Sequence, residues 1–169
     1  MTQSKHTINP KLDLIFERTV DVSATAIWKG WTNETQLKKW FCPQPWKTTE
    51  CKIDLKPGGV FYTVMKGPNG EKMPGEGCFL EIVKNKKLVW TNALLPDFRP
   101  AANVVSCSDF FFTATILLKT QGKKTKYTAI VRHKDVEGRK KHEELGFHEG
   151  WGAALDQLVS LIKNKFKSI

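Results

Sequence analysis

The first third of the chain changes from a strand pattern to a helical pattern. Apolar and polar residues alternate along Leu12–Val20, which predicts a β-strand. Apolar residues at helical spacing follow, and either Ser23 or Thr25 can cap the helix that carries them. Asn33 can cap a second short helix that ends near Trp40. Helices this short need a larger surface for support, so we expect both to pack on a sheet.

Between about Trp46 and His133 the pattern is one of short strands separated by turns. Pro57-Gly58-Gly59 and Gly67-Pro68-Asn69-Gly70 carry turn signals, and a longer loop is expected at Leu95–Ser106. We expect strands at residues 60–65, 77–83, 88–92, 109–119 and 124–133. Consecutive strands joined by short turns form an antiparallel meander, here of about six strands.

The C-terminal segment predicts one long amphipathic helix that begins after Asp135 and continues to about Lys163. At about 100° per residue, one arc of this helix is apolar. The arc holds Phe147, Trp151, Leu155, Leu158 and Ile162. The whole pattern therefore predicts an α+β fold of the helix-grip type. In it, a curved antiparallel sheet of about six or seven strands wraps around the long C-terminal helix, and two short helices follow the first strand.

Small residues form a second stripe on the predicted helix. Gly146, Gly150 and Ala153 lie beside the apolar arc, and each glycine costs about 0.5–1 kcal/mol relative to alanine inside a helix. This stripe favours close approach by a strand backbone or by the loop after Trp40. A kink at Gly146 is the alternative interpretation.

Charge and composition narrow the class of protein. The chain has 169 residues and a net charge of +10, yet 23 of its 27 basic residues are scattered lysines. Sequence-specific nucleic-acid readers favour arginine, so we interpret the charge as a solvated surface and expect no specific nucleic-acid partner. No apolar run is long enough to span a membrane and no secretory signal is recognisable, so we expect no membrane insertion and a cytoplasmic location.

The cysteines and histidines do not form a metal-binding pattern. Cys42, Cys51, Cys78 and Cys107 contain no CxxC pair, so we expect free thiols in a reducing compartment. His142 and His148 lie six residues apart, which places them about 120° apart around a helix. Two such histidines cannot readily share one ion, so the sequence predicts neither a metal nor another cofactor.

Three segments resemble one branch of the START/Bet v 1-like (SRPBCC) superfamily, the branch named after the activator of the Hsp90 ATPase. They are VDVSATAIWKGWTNETQLKKWFCP, IDLKPGGVFYTVM and HEELGFHEGWGAALDQLVSLIK. The resemblance covers about residues 12–163, so we expect a flexible tail over residues 1–10 and one domain of this type over residues 11–169. It implies a helix-grip fold with a cavity between sheet and helix. The superfamily includes lipid and hormone binders, polyketide cyclases and co-chaperone domains.

The aromatic content and this resemblance together suggest an apolar ligand site. We expect the ligand to contact Trp40, Phe61, Met65, Trp90, Phe112, His148, Trp151 and Leu155. A register slip of one residue would replace half of the strand positions in this set. The predicted function is binding of a small hydrophobic molecule by a monomer or homodimer. An interaction with a chaperone is one alternative.

An enzyme of the cyclase, dehydratase or hydrolase type is the other alternative. Glu144 and His148 are four residues apart on the predicted helix, so they could form an acid/base pair at the cavity mouth. An ordinary solvent-facing ion pair is the competing interpretation. Glu76 acting with water is a further candidate. The chain has no GxSxG, P-loop or dinucleotide motif, and no local triad spacing.

Overall fold

Within residues 7–104 and 109–167, which the computed structural model describes, the chain forms an α+β structure. The main sheet contains β1 Asp13–Val20, β2 Lys47–Ile53, β3 Val60–Lys66, β4 Lys72–Val83, β5 Lys87–Thr91, β8 Phe112–Gln121 and β9 Lys124–His133. Two short strands, β6 Leu94–Leu95 and β7 Arg99–Pro100, pair with each other. The helices are α1 Ala24–Thr32, α2 Glu34–Leu37, α3 Val136–Glu144 and α4 Phe147–Phe166.

The seven long strands form one curved antiparallel sheet in the order β1-β9-β8-β5-β4-β3-β2. Strands β2 to β5 and then β8 and β9 follow the chain, and β1 closes the far edge beside β9. The apolar face of α4 packs against this sheet through buried residues such as Leu155 and Leu158. The predicted helix-grip architecture, including the two short helices after β1, is confirmed.

The two short helices begin where their capping residues predict. The Ser23 hydroxyl accepts a hydrogen bond from the Ala26 N–H, and the Asn33 side chain accepts one from the Gln36 N–H. On α1, Trp31 is among the residues that face the core. Because these helices bury their apolar faces under the sheet and α4, they persist despite their length.

The predicted long C-terminal helix is present, but its predicted start after Asp135 is wrong. Helix α3 ends at Glu144 and α4 begins at Phe147, because Gly146 adopts a left-handed conformation with a φ of 86°. The kink at Gly146, the alternative interpretation, is therefore the correct one. Gly150 lies within α4, and a Cβ there would lie 3.8 Å from Cγ of Pro43, in the loop after Trp40. The loop after Trp40 is thus the neighbour of Gly150, but at ordinary contact distance, and the close approach predicted for the stripe is not formed at Gly146 or Gly150.

Several smaller predictions concern the ends, the loop and the cysteines. Residues 1–6 of the predicted tail lie outside the described part of the chain, whereas the Asn9 N–H donates to the Asp13 carboxylate. The predicted long loop contains the β6–β7 pair, and its residues 105 and 106 are not among those described. Cys42, Cys51 and Cys78 are free thiols as predicted, and Cys107 lies outside the described residues. Of the helices in the described part, none is long and apolar enough to cross a membrane.

Candidate functional site

A cavity of about 480 Å³ lies between the sheet and the start of α4. Strands β3, β4, β5 and β8 supply one side, and the α1–β2 segment and the α3–α4 junction supply the other. Its wall consists of Trp31, Trp40, Phe41, Cys42, Pro43, Trp46, Phe61, Thr63, Met65, Met73, Gly75, Glu76, Gly77, Trp90, Asn92, Phe112, His142, Leu145, Gly146, Phe147, Gly150, Trp151 and Ala154.

The floor of the cavity is the β3–β4 pair. Phe61, Thr63 and Met65 alternate along β3, as residues on one face of a strand must. Two of their partners on β4 are glycines, since Gly77 is opposite Phe61 and Gly75 is opposite Thr63. These glycines place no side chain on the cavity face of β4, and the sheet therefore leaves room there. Neither glycine was predicted as a site residue.

The two floor glycines differ in what surrounds them. A Cβ at Gly77 would lie 2.5 Å from the Thr91 carbonyl oxygen, so backbone packing requires glycine at that position. A Cβ at Gly75 would meet only the Thr63 hydroxyl oxygen, at 3.7 Å. No backbone contact in the described structure demands glycine at position 75. Its small size matters for the volume of the cavity.

Aromatic rings form most of the remaining wall. The ring of Trp31 lies at the centre, with its centroid 4.9 Å from that of Trp40, 5.2 Å from Trp90 and 6.5 Å from Trp151. Phe61 continues the cluster, since its ring lies 5.3 Å from Trp90. Such edge-to-face and stacked contacts hold large rings in defined positions. The aromatic wall is therefore a rigid apolar surface.

Several polar groups at this surface form hydrogen bonds within the protein, whereas the Trp31 indole N–H has no partner in the described residues. The Trp40 indole N–H donates to the Gly30 carbonyl at 3.0 Å, and the Trp151 indole N–H donates to the Tyr127 hydroxyl at 2.9 Å. Burial raises the pKa of Tyr127, so this hydroxyl stays protonated. The Asn92 side chain donates to the Phe110 carbonyl and accepts from the backbone N–H two residues further along, at Phe112. These hydrogen bonds hold the Trp40, Trp151 and Asn92 side chains in place, and they leave the indole N–H groups of both tryptophans without a free proton for a ligand.

Six of the eight residues expected at the ligand site lie in the cavity wall. They are Trp40, Phe61, Met65, Trp90, Phe112 and Trp151. Leu155 is 1% exposed and packs in the core, and His148 is exposed, with Nε2 3.1 Å from the Ile15 carbonyl oxygen. The structure thus places Leu155 and His148 outside the wall, and ligand contact by the other six residues stays a prediction.

The predicted pair of Glu144 and His148 is not formed. Because the chain turns at Gly146, these residues belong to different helices and lose the spacing that the prediction assumed. Glu144 pairs instead with Lys140 at 3.7 Å on the exposed side of α3. Glu76, the other acidic candidate, contributes to the cavity wall, but its position opposite Tyr62 directs its side chain to the other face of the sheet.

A pair of histidines, His133 and His142, lies at one end of the cavity. Only His142 was a candidate in the sequence, and then with His148 as a metal pair. His142 lies in the wall, and its Nδ1 is 2.9 Å from Nε2 of His133. Nδ1 of His133 is 2.8 Å from the Leu12 carbonyl oxygen. Burial, with a smaller effect of His133, lowers the pKa of His142 to about 4, and burial also lowers the pKa of His133. Both rings are therefore neutral near pH 7.

Metal binding has no geometric support in the described part of the chain. No group of three or more histidine, cysteine, aspartate or glutamate side chains is arranged there to hold an ion. The cavity wall contains a buried thiol, Cys42, whose pKa is raised by burial. A thiol that resists deprotonation is a poor metal ligand.

Comparison with known proteins gives a consistent result. The family model of the Activator of Hsp90 ATPase homolog 1-like proteins matches residues 21–163. A Nitrosomonas europaea protein of known structure is 45% identical, with a TM-score of 0.88; the match covers 95% of this chain and 99% of that chain. No curated protein matches the chain.

More distant structures share the fold. An Arthrobacter aurescens protein is 23% identical with a TM-score of 0.77, and the match covers 91% of this chain and 87% of that chain. An AHSA1 protein from Silicibacter pomeroyi is 19% identical with a TM-score of 0.65, covering 90% of this chain and 99% of that chain. At these identities the likeness concerns architecture alone.

Proposed function

This chain belongs to the family of Activator of Hsp90 ATPase homolog 1-like proteins, and on that premise we propose that it binds a small hydrophobic molecule in the cavity between the sheet and α4. The observation that carries the proposal is the cavity itself, with its volume of about 480 Å³ and its aromatic wall. Sites for small molecules are commonly concave and mostly apolar, with volumes of about 300–1,000 Å³. This cavity falls within that range.

The glycine at position 75 supports a ligand site over a filled core. A protein interior is normally packed without large voids, because lost contacts and trapped water both reduce stability. Gly75 has space around it that a larger residue could fill, yet positions 75 and 77 of β4 contribute no side chain to the cavity. An apolar ligand would complete the packing of the surrounding rings.

The charge of the wall narrows the class of ligand. The described wall has neither lysine nor arginine, and Glu76 is opposite Tyr62, so its side chain lies on the face of the sheet away from Phe61 and Thr63. A fatty-acid carboxylate would find no cation in this wall to pair with. We therefore expect neutral ligands to bind more tightly than anionic ligands of the same length.

Titration of intrinsic tryptophan fluorescence tests the proposal, because five of the six tryptophans lie in the wall. The panel contains an aromatic polyketide, a sterol, 1-dodecanol and dodecanoate, of which the last two differ mainly in charge. We expect saturable quenching or enhancement by neutral members. Replacing Gly75 by leucine fills the floor and should weaken their binding at least tenfold, about 1.4 kcal/mol.

The control is Gly75→Ala, which removes less volume from the cavity and should have a smaller effect on affinity. Circular dichroism verifies that both variants retain the fold. Absence of saturable binding across the panel would refute the proposed function. Binding that Gly75→Leu leaves unchanged would place the ligand elsewhere.

A role in stimulating a chaperone ATPase is a second proposal, because it is the activity that names the matching family. The purified chain would then raise the ATP turnover of Hsp90 in a concentration-dependent way. An enzyme in which Glu76 acts with water is the remaining alternative, and turnover of the same aromatic polyketide tests it. Loss of that turnover in Glu76→Gln, with retained binding, would support acid/base chemistry.

A further inference from the structure

The two histidines and one backbone carbonyl form a directional chain of hydrogen bonds. A carbonyl oxygen can only accept, so Nδ1 of His133 must carry a proton that it donates to Leu12. In a neutral imidazole the other nitrogen then has a lone pair. Nε2 of His133 therefore accepts, and Nδ1 of His142 is the donor to it. This order leaves the lone pair of His142 on its own Nε2.

Aromatic side chains hold the His142 ring in place. Its centroid lies 4.9 Å from the ring of Phe110, 5.8 Å from Phe112 and 5.1 Å from Phe147. The hydrogen bond to His133 fixes the direction in which Nδ1 of His142 points within this aromatic cluster. The ring is thus oriented before any ligand arrives, which lowers the cost of binding to it.

Charged groups around the pair do not make it cationic near pH 7. Asp13 of β1 and the α3 cap Asp135 favour the protonated form of His133, whereas Arg139 of α3 opposes it. Burial outweighs both carboxylates and lowers the pKa of His133. The ring of His148 of α4 contacts that of Phe147 and bonds to the Ile15 carbonyl, not to either histidine of the pair.

Within residues 7–104 and 109–167, no group hydrogen bonds to Nε2 of His142, although the residue lies in the cavity wall. We propose that His142 is the polar recognition group of the cavity, and that its Nε2 accepts a hydrogen bond from an uncharged hydroxyl of the bound molecule. The inference rests on the proposed function and narrows the ligand to an apolar molecule with a phenol or alcohol group. The Trp40, Trp151 and Asn92 groups of the described wall bond to the protein, and the Trp31 indole N–H, which has no hydrogen-bond partner there, can only donate and so cannot accept from a hydroxyl.

Two matched probes test this inference. Both 2-naphthol and 2-methoxynaphthalene are flat and apolar, but only the naphthol can donate a hydrogen bond. Calorimetry gives both dissociation constants for the wild-type protein and for His142→Phe, which keeps an aromatic ring and removes the acceptor. We expect the affinity of 2-naphthol relative to 2-methoxynaphthalene to fall about three- to tenfold in the variant.

A second measurement needs no variant. Nitrogen-15 spectra of the histidine rings near pH 7 should show His142 with a protonated Nδ1 and an unprotonated Nε2. Addition of 2-naphthol should shift the Nε2 signal strongly, and 2-methoxynaphthalene should shift it little. A role of His142 in packing alone would not produce this difference.

The outcomes separate the inference from the proposed function. If both probes bind and His142→Phe leaves their relative affinity unchanged, the inference is overturned and the cavity remains a ligand site. A protonated Nε2 in the free protein would also overturn it. If neither probe binds the wild-type protein, the ligand-binding function fails for aromatic molecules and the inference fails with it.

Discussion

Replacing Gly59 by alanine is expected to lower the free energy of unfolding by about 3 kcal/mol, the upper end for overpacked sites. A Cβ at this position would lie 1.9 Å from the Asp54 carbonyl oxygen. That oxygen belongs to the backbone of the β2–β3 connection and cannot rotate away. The Gly59 carbonyl also accepts from the Phe79 N–H at 3.0 Å, so a shift of the turn would disturb β4 as well.

Urea unfolding of Gly59→Ala and Gly75→Ala measures this effect with a matched control. The same methyl group is added to the same sheet, but at Gly75 the nearest atom is 3.7 Å away. The control should be neutral or more stable by up to about 1 kcal/mol, because alanine restricts the unfolded chain. Equal stability changes for the two variants would contradict the assigned packing of the Pro-Gly-Gly turn.

Opposite changes are expected for alanine at the two glycines of the α3–α4 region. Gly146 has a φ of 86°, which costs a residue with a Cβ about 1–2 kcal/mol. Gly150 lies inside α4 with its nearest neighbour, Pro43, at ordinary contact distance. Gly150→Ala should therefore stabilise the protein by about 0.5–1 kcal/mol through helix propensity.

Thermal and urea unfolding of the two single variants would give these values directly. If helix α4 continued through Gly146 in solution, Gly146→Ala would also stabilise the protein. Two stabilising substitutions would therefore contradict the break between α3 and α4.

The architecture could be predicted because its signals are local and repeated. Alternation in β1 and β9 marks one face of a strand, and the hydroxyl or amide at Ser23 and Asn33 marks a helix start. The break at Gly146 had only the glycine itself as a signal, which suggested a kink but did not decide against a continuous helix. Helix α3 is almost entirely polar, so it lacks an apolar arc whose phase could be compared with that of α4.

The candidate site was predicted in part, for a related reason. Large aromatic residues such as Trp90 and Trp151 could be predicted as wall residues from their size and their spacing in the sequence. Gly75 contributes to the cavity because it has no side chain, and a pattern of apolar residues cannot reveal such a position. The orientation of His142 depends on His133 and on the carbonyl of Leu12, the residue before β1. Contacts between such distant segments of the chain cannot be inferred from a single sequence.

The indole region of the proton–nitrogen correlation spectrum tests the central claim most directly, since each of the six tryptophans gives one signal. Trp31, Trp40, Trp46, Trp90 and Trp151 line the cavity, whereas Trp28 is buried outside its wall and serves as an internal control. On saturation with 2-naphthol, we predict shifts for the cavity tryptophans and an almost unchanged Trp28. Unmoved cavity signals, or a Trp28 signal that moves as far as the others, would contradict a ligand site between the sheet and α4.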